Sequence, residues 1–171
     1  MLAWGKKVSE EFREKVTDIC KELGTDPDNL MACMAFESGK TFSPSIKNAA
    51  GSGAVGLIQF MPATAQALGT TTEDLAAMTA EEQLDYVAKY FSPRKDEISS
   101  LEDVYMAILW PAAIGKPLDY VLFDKDDPDH PKRYIQNQGL DIDRDGKITK
   151  AEASNRVREK LEKGLLDEYA L

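Results

Sequence analysis

The chain has 171 residues, and its 30 acidic and 21 basic side chains give a formal net charge of −9. This balance argues against a nucleic-acid-binding protein, because phosphate backbones are bound by continuous stripes of Lys and Arg. The 43% of hydrophobic residues are enough for one core. No uninterrupted apolar stretch reaches the ~18 residues of a membrane span, and the N-terminus turns polar too early for a secretory signal peptide.

Helical patterns dominate the first third of the chain. In residues 8–23 apolar side chains recur at steps of three or four and Gly24 follows, which predicts an amphipathic helix. Asp26 and Pro27 predict the start of a second helix, in which residues 30–36 are all apolar and therefore belong in the core. Residues 38–56 contain four glycines and one proline, which predicts a long loop or small lobe.

Capping signals place further helices along the rest of the chain. Pro62 predicts one start, Thr79 begins a capping box, Ser100 predicts another start, and Pro111 should end that last helix. Residues 123–133 are highly charged and resemble an exposed linker before a final helical unit. The fold class is therefore mainly α.

The two cysteines carry little functional signal. Cys20 and Cys33 both fall on predicted helices, which favours buried thiols made in a reducing compartment. The sequence leaves open whether the two form a disulfide.

Residues 141–152 have the residue spacing of an EF-hand calcium loop, with acidic side chains at positions one, three, five and twelve. Gly146 at position six permits the left-handed turn, and Thr149 at position nine would ligate directly or through water. The predicted ligands are Asp141, Asp143, Asp145, Lys147 through its carbonyl oxygen, and Glu152. Sensor EF-hands come in pairs and no second loop is present, so we expect one structural Ca²⁺ site.

Glu37 is the second candidate for chemistry, because it follows seven apolar residues at the end of a helix. Burial there would raise the pKa of its carboxyl, as a general acid working near neutral pH requires. The alternative is a glutamate that frays into solvent, and position alone does not separate the two.

The segments around Glu37 carry a family resemblance. Glu37-Ser38, followed by GLIQFMPATA at 56–65, resembles the soluble lytic transglycosylase and goose-type lysozyme superfamily, over roughly residues 20–120. The stretch 110–115 together with the calcium loop is similar to phage-encoded peptidoglycan-degrading enzymes. The resemblance implies a lysozyme-like helical catalytic domain with a small irregular or β lobe at 1–122. Residues 123–171 would form a linker and an EF-hand helix-loop-helix packed on that domain.

The resemblance also implies roles for individual residues. Glu37 would be the catalytic acid and Ser38 would support the site, while Gln59 would hydrogen-bond the substrate. The full set of implied substrate-binding residues is Ser38, Gly56, Leu57, Gln59, Met61, Tyr86, Tyr90, Tyr105 and Trp110. Many relatives have Tyr-Asn-Ala-Gly where this chain has Trp-Pro-Ala-Ala at 110–113. Trp110 therefore lacks the hydroxyl that those relatives place near the catalytic Glu. Either Tyr86, Tyr90 or Tyr105 supplies this hydroxyl, or it is dispensable.

The implied substrate is peptidoglycan, cut at the β-1,4 bond between N-acetylmuramic acid (MurNAc) and N-acetylglucosamine (GlcNAc). No second carboxylate is evident near Glu37 in the sequence, which favours a lytic transglycosylase that leaves a 1,6-anhydromuramyl end over the two-carboxylate scheme. A lysozyme-type hydrolase and a noncatalytic calcium-stabilised wall-binding or phage-tail module are the alternatives.

The expected setting is a phage enzyme made in the host cytoplasm, either an endolysin or one carried on the virion. We expect a monomer that binds glycan strands and neither nucleic acid nor membrane. Because the net charge gives no attraction to an anionic wall, activity should be insensitive to moderate salt.

Overall fold

The computed structural model describes all 171 residues, and its regular structure consists mainly of eight α-helices. The helices are α1 Glu10–Leu23, α2 Pro27–Glu37, α3 Pro62–Ala67, α4 Thr72–Ala77, α5 Ala80–Phe91, α6 Leu101–Leu109, α7 Pro131–Asn137 and α8 Lys150–Gly164. One antiparallel sheet pairs β1 Val121–Asp124 with β2 Lys147–Thr149. The prediction of a mainly helical protein is confirmed. No helix combines the length and the apolar character needed to cross a bilayer.

The helix boundaries follow local capping chemistry. The Thr79 side chain accepts from the backbone N–H of Glu82 while the Glu82 carboxylate accepts from Thr79 N, so the predicted capping box of α5 is confirmed. Gly24 ends α1 with a φ of 76°, a conformation that glycine adopts without steric cost. Helix α6 ends at Leu109, just before Pro111, as predicted.

Helix α2 is the centre of the core. Every residue from Leu30 to Ala35 is buried, because α1, α6 and α8 all pack around α2. Cys20 on α1 and Cys33 on α2 are buried free thiols, so the question of a bridge is answered. Because α2 runs through the core, the Glu37 carboxyl lies where this helix ends.

The sequence predicted an irregular lobe at 38–56, and in the structure this lobe extends over residues 38–61. Apart from isolated backbone bridges between Lys47 and Val55 and between Val55 and Phe60, they contain no regular strand. Ser38 anchors the lobe to α2: its hydroxyl donates to Met34 O at 2.6 Å and accepts from Phe42 N at 2.9 Å. The lobe is therefore held at the end of α2 that carries Glu37.

The C-terminal segment is built into the same core. In the sheet Phe123 lies opposite Ile148, and both side chains are buried. Helix α8 packs against α2 and α6, with Ala153 and Val157 in the common core. A two-stranded sheet this short depends on such packing for its stability.

Two polar contacts fix α8 in place. Lys150 Nζ lies 2.5 Å from Asp103 Oδ1 of α6 in an ion pair whose side chains are 3% and 15% exposed. At the other end, Trp4 Nε1 donates to Lys160 O at 2.9 Å. The Trp4 ring approaches Gly164 so closely that a Cβ there would meet it at 2.3 Å, so only glycine fits.

Candidate active site

Glu37 is the last residue of α2 and is only partly exposed. Burial raises the pKa of its carboxyl to about 7, and no hydrogen bond to the protein offsets that effect. Near neutral pH such a carboxyl exists in both protonation states, so it can donate a proton and later accept one. Of the two interpretations that the sequence left open, the structure supports the buried carboxyl.

Two tyrosines are neighbours of this carboxyl. Burial raises the pKa of the Tyr105 and Tyr90 phenols, and the negative charge of Glu37 raises both further. The Tyr90 hydroxyl donates to Ala107 O at 2.5 Å, so it is already engaged. The Tyr105 ring meets Phe36 edge to face at 5.8 Å between centroids, and its hydroxyl has no partner within the protein. Tyr105 therefore has a free hydroxyl beside Glu37.

The loop 56–61 forms a second wall next to Tyr90. Val55 and Phe60 exchange two backbone hydrogen bonds of 3.0 and 2.8 Å, which closes the loop into a tight turn. Gln59 sits in this turn with a φ of 55°, an uncommon conformation for a residue other than glycine. Its Nε2 donates to Ile46 O and Gly56 O at 3.2 and 3.1 Å, which leaves the side-chain oxygen free.

This loop and the neighbouring helices enclose a small cavity of about 60 Å³. Its lining residues are Ile58, Gln59, Phe60, Met61, Thr64, Tyr90 and Ile108. Tyr90 belongs both to this cavity and to the surroundings of Glu37. Tyr90 therefore links the loop to the neighbourhood of Glu37.

Gln83 is a residue of this site that sequence reasoning missed. It is completely buried on α5, where its Oε1 accepts from Leu57 N at 2.8 Å. Its Nε2 donates to Pro44 O and to Leu75 O, both at 2.9 Å. A Cβ at Gly56 would meet the Gln83 amide at 2.3 Å, so the loop needs glycine at this close approach. One amide thus ties the lobe and the loop to α5.

Several of the residues predicted to bind substrate lie beneath the surface. Ser38 and Leu57 are 0% exposed and Tyr105 is 4% exposed. Gly56 is also buried, so Ser38, Gly56 and Leu57 contribute to the site mainly through its shape. Met61 is 45% exposed, and the remaining side chains, Gln59, Tyr86, Tyr90 and Trp110, are partly exposed.

The match to known proteins covers this same region. Residues 17–108, just over half of the chain, match the family described as Transglycosylase SLT domain. The chain belongs to this family. The matched range includes Glu37, the loop 56–61, Gln83 and Tyr105. The protein is therefore an enzyme of the peptidoglycan lytic transglycosylase type. No curated protein matches the chain.

Trp110 lies just beyond the matched SLT domain and contacts the C-terminal segment. Its ring meets Phe123 edge to face at 5.2 Å between centroids. The Arg133 guanidinium lies over the ring at 4.9 Å from the centroid. Trp110 therefore joins α6 to β1 and α7, and the guanidinium covers the ring on that side.

The acidic loop also lies beyond the SLT domain and could hold a metal ion. Carboxylate oxygens of four residues all lie within 4.8 Å of one another. The four residues are Asp141, Asp143, Asp145 and Glu152. Asp141 Oδ1 is buried without a hydrogen-bond partner. Its Oδ2 is satisfied, because it accepts from the Tyr134 hydroxyl at 2.6 Å and from Gly146 N at 2.9 Å.

The neighbours of the cluster prepare it for a cation. Gly146 has a φ of 87°, which turns the chain back over the cluster. Glu152 Oε2 accepts from Ile142 N at 2.9 Å, so this carboxylate already reaches across the loop. Four carboxylates with one buried unpartnered oxygen form a set of hard oxygen donors that suits a divalent cation such as Ca²⁺.

Proposed function

We propose that Glu37 is the general acid and base of a lytic transglycosylase that cleaves the β-1,4 bond between MurNAc and GlcNAc. The observation that carries this proposal is the buried Glu37 carboxyl with a pKa of about 7 and no partner within the protein. It lies inside the matched SLT region, next to the free Tyr105 hydroxyl.

The reaction begins with proton transfer from Glu37 to the glycosidic oxygen. The bond from MurNAc C1 to that oxygen breaks, and GlcNAc leaves with a new hydroxyl. The 2-acetamido oxygen of MurNAc stabilises the positive charge at C1. The C6 hydroxyl oxygen of the same sugar then bonds to C1, and the Glu37 carboxylate takes its proton. The enzyme returns to its starting state with a 1,6-anhydromuramyl product.

The surroundings of Glu37 support this single-carboxylate route. Two-carboxylate glycosidases place the pair ~5–9.5 Å apart, where each would alter the pKa of the other. Burial is the only cause of the raised pKa of Glu37, and no neighbouring carboxylate contributes to it. We therefore assign the oxygen that stabilises the positive charge at C1 to the 2-acetamido group of the substrate.

Other side chains of the site hold the sugar. The free side-chain oxygen of Gln59 accepts from a sugar hydroxyl or amide, and Met61 packs against a ring face. The Tyr105 hydroxyl takes the place of the tyrosine that many relatives have in the third motif, and it donates to Glu37 or to the glycosidic oxygen. Tyr90, which lines the cavity beside the loop 56–61, extends the cleft wall.

The acidic loop is proposed to be a structural EF-hand that binds one Ca²⁺. Asp141, Asp143, Asp145 and Glu152 would hold the ion with the Lys147 carbonyl and Thr149, which neutralises the orphaned Asp141 oxygen. In a paired EF-hand a second loop supplies the neighbouring strand, whereas here β1 fills that position beside Ile148. The ion would tie residues 123–171 to the catalytic domain at 1–122. The phage setting rests on sequence resemblance alone.

Mass spectrometry of the products tests the proposed reaction. Purified peptidoglycan is digested with the wild type, with Glu37→Gln and with the matched control Glu22→Gln, which alters an exposed glutamate of α1. The wild type and the control should release 1,6-anhydromuramyl ends, and Glu37→Gln should lose about 10²–10⁴-fold in rate. Reducing ends would make the enzyme a hydrolase, and a fully active Glu37→Gln would refute the role of Glu37.

A further inference from the structure

The acidic loop at 141–152 and the end of α6 are joined through Trp110. This residue directly follows α6, and its N–H donates to Met106 O at 2.8 Å. Its indole ring contacts two elements of the C-terminal segment. Phe123 of β1 meets the ring edge to face, and the Arg133 guanidinium of α7 lies 4.9 Å from the ring centroid. Both of these elements are in turn attached to the acidic loop.

The first attachment runs through α7. Tyr134 directly follows Arg133, and its hydroxyl donates at 2.6 Å to Oδ2 of Asp141, the first residue of the loop. Asp141 is 7% exposed, and its Oδ1 has no hydrogen-bond partner. Two adjacent residues of α7 therefore contact the indole ring and a carboxylate of the proposed cation site.

The second attachment runs through the sheet. Phe123 lies opposite Ile148, the eighth residue of the loop, and both side chains are buried. The Trp110 ring meets Phe123 with 5.2 Å between the centroids. A shift of β2 on cation binding would therefore reach the indole ring through one buried side chain.

The third attachment is polar and involves Lys150, the tenth residue of the loop, which is 2% exposed. Its Nζ donates to Asp103 Oδ1 at 2.5 Å and to Lys116 O at 2.8 Å. Its backbone N–H donates to Tyr120 O at 2.8 Å. Asp103 belongs to α6, and the other two partners belong to the segment 110–120 that follows α6. Lys150 therefore fixes the loop to both.

The end of α6 also belongs to the surroundings of the candidate active site. Ile108, two residues before Trp110, lines the cavity of about 60 Å³ together with Gln59 and Tyr90. The Tyr90 hydroxyl donates to Ala107 O of the same helix turn at 2.5 Å. A change in the position of Trp110 would therefore act on the helix turn that lines this cavity.

We propose that a divalent cation at the acidic loop fixes Trp110 and the last turn of α6, so that cation binding strengthens glycan binding. This inference rests on the proposed calcium site and on the proposed activity. Four carboxylates within 4.8 Å of one another repel, and a cation between them replaces that repulsion with attraction. The closed loop then holds Trp110 through α7, β1 and Lys150. Arg133 is a positioning residue, because it contacts the indole ring and is not itself a ligand.

Tryptophan fluorescence tests this connection independently of activity. Trp4 and Trp110 are the two tryptophans of the chain, so the variant Trp110→Phe reports on Trp4 alone. Metal-free protein is titrated with CaCl₂, and isothermal titration calorimetry measures calcium binding to the same proteins. We expect the wild-type emission to change with the midpoint that calorimetry gives. The emission of Trp110→Phe should stay constant although this variant binds the ion.

The variant Arg133→Gln tests the positioning role. Its matched control is Lys132→Gln, which makes the same charge change at an exposed neighbour. Because the contact with the indole ring is linked to the ion, its loss should weaken calcium binding by up to about fivefold, the factor that one exposed cation–π contact supports. At saturating calcium Arg133→Gln should raise KM for peptidoglycan and leave kcat unchanged, whereas the control should match the wild type in both.

The outcomes separate this inference from the proposals on which it rests. Calcium binding without a change in Trp110 emission, or equal KM values for Arg133→Gln and Lys132→Gln, would overturn the coupling and leave the calcium site and the transglycosylase intact. No calcium binding in calorimetry would overturn the calcium site and this inference with it. A wild type that does not cleave peptidoglycan would refute the proposed activity. Melting curves confirm that each variant is folded at the assay temperature.

Discussion

Replacing Glu37 with glutamine should stabilise the protein above about pH 7 while it lowers the reaction rate by about 10²–10⁴-fold. In the folded protein burial raises the pKa of Glu37 from 4.5 to about 7. A carboxyl with a raised pKa contributes stability below its unfolded pKa, and that contribution is lost as the pH rises through the folded pKa. Glutamine has nearly the same shape and never ionises, so Glu37→Gln keeps this stability at every pH.

The raised pKa sets the size of the effect. The difference between a pKa of 4.5 and one of about 7 corresponds to about 3 kcal/mol against the ionised carboxylate. For a protein of this length, each kcal/mol shifts Tm by about 2–4 °C. We therefore expect Glu37→Gln to melt about 6–12 °C above the wild type at pH 8, and close to it at pH 4, where Glu37 is protonated in both states.

Differential scanning calorimetry at a series of pH values measures this difference. The effects of all other carboxylates cancel, because they are common to both proteins. The exposed control Glu22→Gln should show no such pH-dependent gain. A Tm difference between Glu37→Gln and the wild type that stays the same from pH 4 to pH 8 would refute the assignment of a buried, uncompensated carboxyl. The same pKa predicts that wild-type kcat/KM falls above about pH 7, as the acid loses its proton.

Three further predictions concern the supports of the site. Gln83→Leu should lower the free energy of unfolding by about 3 kcal/mol or more in urea titrations, because three backbone groups, two of them buried, lose their partner, and it should also reduce kcat. A loss of unfolding free energy no larger than that caused by Gln66→Leu, at an exposed glutamine of α3, would contradict this role of Gln83. Saturating Ca²⁺ at 100 times its Kd should stabilise the protein by about 2.7 kcal/mol, and Asp141→Asn should abolish the response; an unchanged Tm on chelation would argue against the ion. Lys150→Met should destabilise the protein by about 3–5 kcal/mol because it leaves Asp103 uncompensated, and adding Asp103→Leu should recover much of the loss; additive losses in this double-mutant cycle would argue against the ion pair.

Much of the fold could be predicted from local signals. The ends of α1, α5 and α6 depend on caps and turn residues close in sequence, such as Thr79 with Glu82 and Gly24 after α1. Such contacts act within one turn of a helix, so the sequence alone reveals them. The irregular segment at 38–56 was equally visible, because its glycines disfavour regular structure.

The site could be predicted only in part. Glu37 was a candidate from its apolar neighbours, but whether it was buried depended on α6 and α8 packing around α2. Gln83 gave no signal, because a glutamine on an amphipathic helix usually faces solvent. Its partners Pro44, Leu57 and Leu75 lie 8 to 39 residues away in sequence. A buried amide is recognised only when the groups that satisfy it are in place.

The charge of the protein was likewise determined in part by the sequence and in part by the tertiary structure. The sequence by itself determined the net charge of −9, and with it the expectation that the protein gains no overall attraction to an anionic wall. Only the tertiary structure decided where the basic residues lie. Lys150, for example, is buried in an ion pair with Asp103 because α8 packs against α6. A net charge is a sum over residues, whereas the field at a binding site depends on the distances between them.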